Sequence, residues 1–247
     1  MRIFNALLKL EAKLALRSMD SVIFGILFPI MVAVLLGIIY GNKLAFDGAD
    51  YTFLQQSFGA IASIGICATG LMGIPLTIAD YRHRKILKRY KVTPVSPGLL
   101  LTVQFIIGFI IAVTSLILVF VVISLFFGYQ MNGSLGGFIL SYLLVTSAIY
   151  SLGMLLASLA PNLKTANLLC TIIYFPMIFL SGATVPYEIM PRSMQKVMDF
   201  LPLTQGIKLL KGFSLGLNIE HLLLPILLMS ALTVICLTLS IRYFKWE

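Results

Sequence analysis

Asp80-Tyr81-Arg82-His83-Arg84-Lys85-Ile86-Leu87-Lys88-Arg89-Tyr90-Lys91-Val92-Thr93-Pro94 decides how the rest of the chain is arranged. The stretch carries six of the eighteen Lys and Arg residues and lies between two long apolar runs. A cation at a bilayer centre costs roughly 2.5–3.5 kcal/mol even on the lenient insertion scale, so a cluster of six belongs in water. The preference of Lys and Arg for the cytoplasmic side assigns it to the inner face. Read as one helix, it gathers Ile86, Leu87 and Tyr90 on one side. Arg82, Lys85 and Arg89 form a second row, and Arg84, Lys88 and Lys91 a third. Thr93-Pro94 and Pro97-Gly98 end it, because proline lacks a donor and restricts the residue before it. A short basic amphipathic helix between two spans is a handle for a cytoplasmic partner. An orientation anchor, or a contact for anionic headgroups, is the plainer reading of the same residues.

Composition agrees with a membrane setting. Hydrophobic residues make up 60% of the 247-residue chain and charged residues 11%. The mean hydropathy is +1.02, beyond a water-soluble domain of this length. The net charge of +9 suggests nucleic acid in a soluble protein, but here the cations sit at the ends of apolar runs and read as topology signals. Cys67, Cys170 and Cys236 all lie inside apolar runs without metal-ligand spacing, and read as small buried hydrophobes.

Working outward gives an all-α membrane protein with six spans in a single domain, 1–247. Residues 1–18 place Ile3, Leu7, Leu10 and Leu14 at helix spacing, with Arg2, Lys9, Lys13 and Arg17 mostly opposite, which predicts an interfacial amphipathic helix. Spans are expected at 22–40, 53–79, 99–127, 135–160, 165–184 and 222–241, and Pro29 should bend the first. Residues 80–97 form the cytoplasmic segment, and the loop from Gly41 to Thr52, with Lys43, Asp47 and Asp50, is outside. With both termini inside, thirteen Lys and Arg fall on inner segments and five on outer ones. Between spans five and six, residues 185–221 predict two short helices opened by Pro191 and Pro202. Met194, Val197, Met198 and Leu201 on one helix, and Ile207, Leu210 and Phe213 on the other, would dip into the outer leaflet.

Catalytic chemistry is missing from the pattern. There is no G-x-x-x-x-G-K-[ST]. The two histidines, His83 and His221, are assigned to opposite sides, so no catalytic residue and no metal site is expected. No span centre carries Asp, Glu, Lys or Arg, whereas an ion-driven carrier usually keeps such a group as its relay. The energy for any transport is expected from another chain.

Two polar stripes remain. Gln56, Gly59, Ser63, Cys67, Gly70, Gly73 and Thr77 recur at three or four residues in span two. Asn167, Thr171, Tyr174 and Ser181 lie near one face of span five. Small residues let membrane helices approach closely, which explains the glycines as packing. Large polar groups facing lipid are costly, so the span-five stripe points instead to a substrate path, with Gln56, Ser63 and Thr77 beside it.

From end to end, this pattern resembles the permease subunit of ABC transporters of the ABC-2 type. Arg82 through Ser96 is similar to that family's coupling segment, a basic helix followed by Thr-Pro-Val-Ser. Phe179-Leu180-Ser181-Gly182-Ala183 with Pro186, Pro191 and Pro202-Leu203 is similar to its span-five exit and extracellular re-entrant helices. Lys85-Ile86 stands where the family often has an acidic residue and Gly-Thr. Gln205 stands where it favours an aromatic, His, Arg or Ser, and Lys211 where it favours Arg. The resemblance implies that Arg82, Arg84, Lys85, Ile86, Leu87, Lys88, Arg89 and Tyr90 couple to an ATPase. It implies that Gly182, Pro186, Pro191 and Pro202 belong to an extracellular gate. It further implies two cytoplasmic ATP-binding subunits that carry the ATP and Mg, with no cofactor on this chain. A second permease, homologous or identical, completes the pore, in contact with membrane lipid in a bacterial plasma membrane and with no nucleic acid. The substrate class is amphipathic: a drug, an antimicrobial peptide, a lipid or a lipid-linked molecule. An ion-coupled secondary carrier and a non-transporting membrane scaffold are the alternatives.

Overall fold

The computed structural model describes residues 2–41, 43–46, 48–93, 95–185, 187–217 and 223–246. Asp47, Pro94, Pro186, His221 and Leu222, to which the sequence gives roles or boundaries, lie outside the described residues. Regular structure among the described residues is helical, with one isolated antiparallel bridge between Leu44 and Thr52. Among the described residues, six helices are long and apolar enough to cross a membrane: Ile23–Tyr40, Phe53–His83, Pro97–Phe127, Leu135–Leu159, Leu163–Leu180 and Leu223–Arg242. All six expected spans are therefore present, with ends shifted by a few residues.

The first span consists of α2 (Met19–Val22), a π-helical turn (Ile23–Leu27) and α3 (Phe28–Tyr40). The second consists of α4 (Phe53–Cys67), a π-helical turn (Ala68–Gly73) and α5 (Ile74–His83). Each π turn lies just upstream of a proline, Pro29 or Pro75, near the start of the next helix. A proline offers no donor and its ring crowds the preceding turn, so the backbone widens there. The two widened turns also meet. A Cβ on Gly25 would lie 3.0 Å from Thr69 Cγ2 and 3.0 Å from Ile111 Cγ2. Thr69 donates back to the Gly65 carbonyl at 2.7 Å and lies 2.5 Å from the Tyr150 hydroxyl.

The second span is the axis of the fold and is buried on nearly every side in α4. A Cβ on Gly59 would lie 2.9 Å from Leu210, and one on Gly70 2.5 Å from the Tyr150 ring. The small residues of the span-two stripe thus admit neighbouring helices within this chain. Around it stand the first span, α7 (Pro97–Phe127), α8 (Leu135–Leu159) and α9 (Leu163–Leu180), while α12 (Leu223–Arg242) packs on the outside of α8. The intervening turns are chemically defined. Ser96, Ser134 and Asn162 cap α7, α8 and α9 with side-chain oxygens, and Gly128 ends α7 in the left-handed region.

Two expectations change. The segment from Asp80 is not one helix: α5 ends at His83, Lys85 takes the left-handed conformation (φ 60°), and α6 (Ile86–Lys91) starts afresh. The proline-opened helices α10 (Arg192–Met198) and α11 (Pro202–Leu215) form as expected. However, α11 packs its apolar residues inward, against α4, α8 and α12. Leu203, Leu209 and Leu210 are almost wholly covered by protein, so this apolar surface is spent within the chain.

The N-terminal helix α1 (Arg2–Arg17) divides the apolar row that the sequence drew. Leu7 and Glu11 are buried, whereas Ile3, Leu10 and Leu14 are exposed. Phe4, Leu7 and Leu8 join Ile78, Tyr81, Leu87 and Leu100 in a core at one end of the bundle, with Phe244 and Trp246 against it. The N-terminal helix, α6 and the C-terminal residues thus share one end.

Candidate functional site

At the end that holds α1 and α6, two charged groups are buried and anchored. Arg82 is 8% exposed. Its Nη2 donates to the Lys245 carbonyl at 2.7 Å and to the Ala157 carbonyl at 3.3 Å, and its Nη1 donates to the Ala160 carbonyl. Ala157 and Ala160 are at the C-terminal end of α8, where carbonyls have no helical partner and the helix dipole is negative. Arg82 therefore caps the fourth span and ties down the chain's C-terminal residues. It leaves the exposed basic rows that the sequence drew for it.

Glu11 is the second anchor. Its Oε2 accepts from the Tyr81 hydroxyl at 2.7 Å and from Gln104 Nε2 at 2.8 Å, while its Oε1 is buried without a partner among the described residues. Burial pushes this carboxyl above its ordinary range, partly offset by those two hydrogen bonds. Tyr90 on α6 is also pushed up, by burial and by the nearby Glu11. The carboxyl thus joins α1 to the second and third spans directly beneath α6.

Leu87 is fully buried in the same core, and Ile86 and Tyr90 are half-buried against it. The apolar side of α6, expected to grip a partner, is used within the chain. His83, Arg84, Lys85, Lys88, Arg89 and Lys91 remain exposed, together with Val92. Arg84 pairs with Asp80 at 2.8 Å, one turn back along the helix. The result is a basic surface held in place from below by Leu87 and Arg82.

A cavity of about 280 Å3 occupies the opposite end, between α4, the end of α9 and α11. Gln56, Ser181, Tyr187, Glu188, Thr204 and Lys211 line it. Glu188 bridges two elements: one carboxylate oxygen accepts from Gln56 Nε2 at 2.7 Å and the other pairs with Lys211. Next to it Lys208 pairs with Asp199 at 2.6 Å and sits 4.3 Å from the Tyr187 ring centroid. The Tyr187 hydroxyl donates to Asp199 at 3.2 Å. Burial and Asp199 push that phenol up, against the pull of Lys208. Ser181 and Thr204 are almost fully buried, and neither hydroxyl has a partner among the described residues. Gly182, at φ +92°, makes the turn that ends α9 here, a conformation that glycine adopts without a side-chain clash.

The expected site residues therefore separate. Gln56, Ser181 and Gly182 meet at this cavity, with Pro202 opening α11 beside it and Pro191 opening α10. Asn167 instead lines an open groove of about 690 Å3 near His83, Asn162 and Lys164, close to the basic surface. Tyr174 is buried between these two levels, Thr171 and Thr77 are half-buried, and Ser63 donates to its own helix at the Ala60 carbonyl. Glu11, Glu188, Thr204 and Lys208 were not singled out from sequence. Glu11 carried one signal, since it lies four residues after Leu7 on the buried side of an otherwise basic helix.

Comparison with known proteins adds an independent finding. The profile of a family described as ABC-2 type transporter matches residues 2–215. Nodulation protein J of Rhizobium leguminosarum bv. viciae is 38% identical over 79 residues, 32% of this chain and 30% of that protein. Nodulation protein J of Rhizobium meliloti (strain 1021) is 35% identical over 74 residues, 30% of this chain and 28% of that protein. The inner membrane transport permease YhhJ of Escherichia coli (strain K12) is 25% identical over 156 residues, 62% of this chain and 41% of that protein. The chain thus spans less than half the length of each of these relatives.

Proposed function

Because this chain belongs to the ABC-2 type transporter family, we propose that it is the membrane-spanning permease subunit of an ATP-driven exporter. It is a multi-pass plasma-membrane protein with six apolar spanning helices. In this reading two such permeases, identical or homologous, form the conduit, and two cytoplasmic subunits bind and hydrolyse ATP with Mg. The permease itself is not an enzyme. The amphipathic substrate passes from the inner to the outer end, and α10 and α11 form the extracellular closure. Both termini and α6 face the cytoplasm, in keeping with the thirteen-to-five division of basic residues.

The observation that carries this reading is the seating of α6. Leu87 is buried beneath it and Arg82 is bonded to carbonyls of α8 and of the C-terminal residues. A push on its exposed basic face is then transmitted to the second and fourth spans rather than absorbed by a loop. The partner's contact is polar, with Lys85 and Arg89 among the exposed cations.

The test is whether an ATP-binding subunit is encoded beside this chain and co-purifies with it. Lys85→Glu with Arg89→Glu should abolish co-purification, while Ser134→Ala at the other end leaves it unchanged. Orientation is checked in the same cells after the native cysteines are replaced. A cysteine at Met194 should react with an impermeant thiol reagent, and one at Lys164 should not. Retained co-purification with correct orientation would assign α6 to anchoring alone.

A further inference from the structure

The outer cavity has binding capacity that the chain does not itself use. Ser181 and Thr204 line it with buried hydroxyls that have no partner among the described residues. A buried polar group without a hydrogen bond is costly, so an occupant that supplies one is favoured. Nearby charges are already matched: Glu188 with Lys211, and Asp199 with Lys208. An anionic occupant meets the Glu188 carboxylate, and a cationic one meets two lysines. Either must also disrupt an ion pair to gain a partner of its own. Drug-sized ligands fill pockets of roughly 300–1,000 Å3, so this cavity of about 280 Å3 admits a head and not a whole amphiphile. Ala60 and Ile207 supply an apolar wall among the polar groups.

We propose that this cavity receives the neutral, hydroxyl-bearing head of an amphipathic molecule, hydrogen-bonded by Ser181 and Thr204. The hydroxyls of such a head both donate and accept, as do Ser181 and Thr204, so every contact is made without moving a charge. The apolar tail stays outside the cavity, against the spans. This inference rests on the reading of the chain as an export permease and narrows its substrate by head chemistry.

The experiment is a thermal-unfolding titration of the permease with its ATP-binding partner in lipid nanodiscs, without ATP. Three short-chain probes are compared: hexyl β-glucoside, hexyl phosphate and hexyltrimethylammonium. Hexyl β-glucoside should raise the midpoint saturably, because a ligand that binds only the folded state stabilises it. The two charged probes should not. Ser181→Ala with Thr204→Val should raise the half-saturating concentration roughly 30-fold, at about fivefold per neutral hydrogen bond. Thr114→Val, whose hydroxyl bonds within its own helix, should not change it. If the double variant does not fold, Thr204→Val alone should shift half-saturation about fivefold. The inference is overturned if the glucoside gives no saturable shift, if a charged probe matches it, or if the hydroxyl variants titrate like wild type. Loss of co-purification with the ATP-binding subunit would instead overturn the permease reading, because the titration uses no ATP.

Discussion

The two ends of the bundle use charge in opposite ways. At the end with α1 and α6, Arg82 and Glu11 are buried and bonded to several elements, and the cations left outside form one exposed surface. At the other end, Glu188–Lys211 and Asp199–Lys208 are pairs with at least one partly exposed partner, linking short elements over a cavity. Buried, multiply bonded charges are costly to separate, whereas exposed pairs contribute about 0–1 kcal/mol. The first end is therefore held by groups that are costly to separate, and the second by pairs that part at little cost.

Three substitutions test that contrast, in decreasing order of effect. Arg82→Met should be the most damaging, because it leaves the Ala157, Ala160 and Lys245 carbonyls without their donor. Each buried unpaired group costs roughly 1–3 kcal/mol. Thermal unfolding in nanodiscs should show a large drop in the midpoint, and Arg84→Met on the exposed side should show little. Equal midpoints for the two variants would erase the distinction between anchor and surface.

Glu11 should produce a smaller effect that depends on pH. Burial raises its folded-state pKa above the unfolded value, so the folded chain holds a proton that the unfolded chain releases first. Its contribution is most favourable below the unfolded pKa and is lost as pH rises through the raised folded value. Wild-type stability should therefore fall with rising pH from about 4.5 upward more steeply than that of Glu11→Gln. The comparison is read from unfolding midpoints across that range. Parallel slopes would mean that the carboxyl is solvated in the folded protein.

Glu188→Gln should have the smallest effect on stability, under about 1 kcal/mol, because Glu188 is itself an exposed side chain and water screens its pair with Lys211. Its consequence should appear as access: a cysteine at Ser181, with native cysteines replaced, should react faster with an impermeant thiol reagent when Glu188 is Gln. If Glu188→Gln lowers the midpoint as far as Arg82→Met, the outer end is as rigid as the inner one.

Hydropathy and charge in the chain determined the six spans, the helical class and the grouping of the termini with the basic segment, because burying a cation in hydrocarbon costs more than any local propensity returns. Proline spacing determined the starts of α10 and α11, since proline fits the first turn of a helix and little else. Which neighbour covers each face was decided only by tertiary structure. The apolar side of α6 looks the same in sequence whether it meets a partner or its own core, and Leu87 is settled by the presence of Leu7, Leu100 and Val103 from distant segments. Arg82 and Arg84 stand two residues apart in one basic run. The end of α8 lies beside one and not the other, so one is an anchor and the other a surface charge. The same holds at the cavity, where Gln56, Glu188, Thr204 and Lys211 come from three separate elements. A hydrogen-bonding site of that kind has no linear spacing to read.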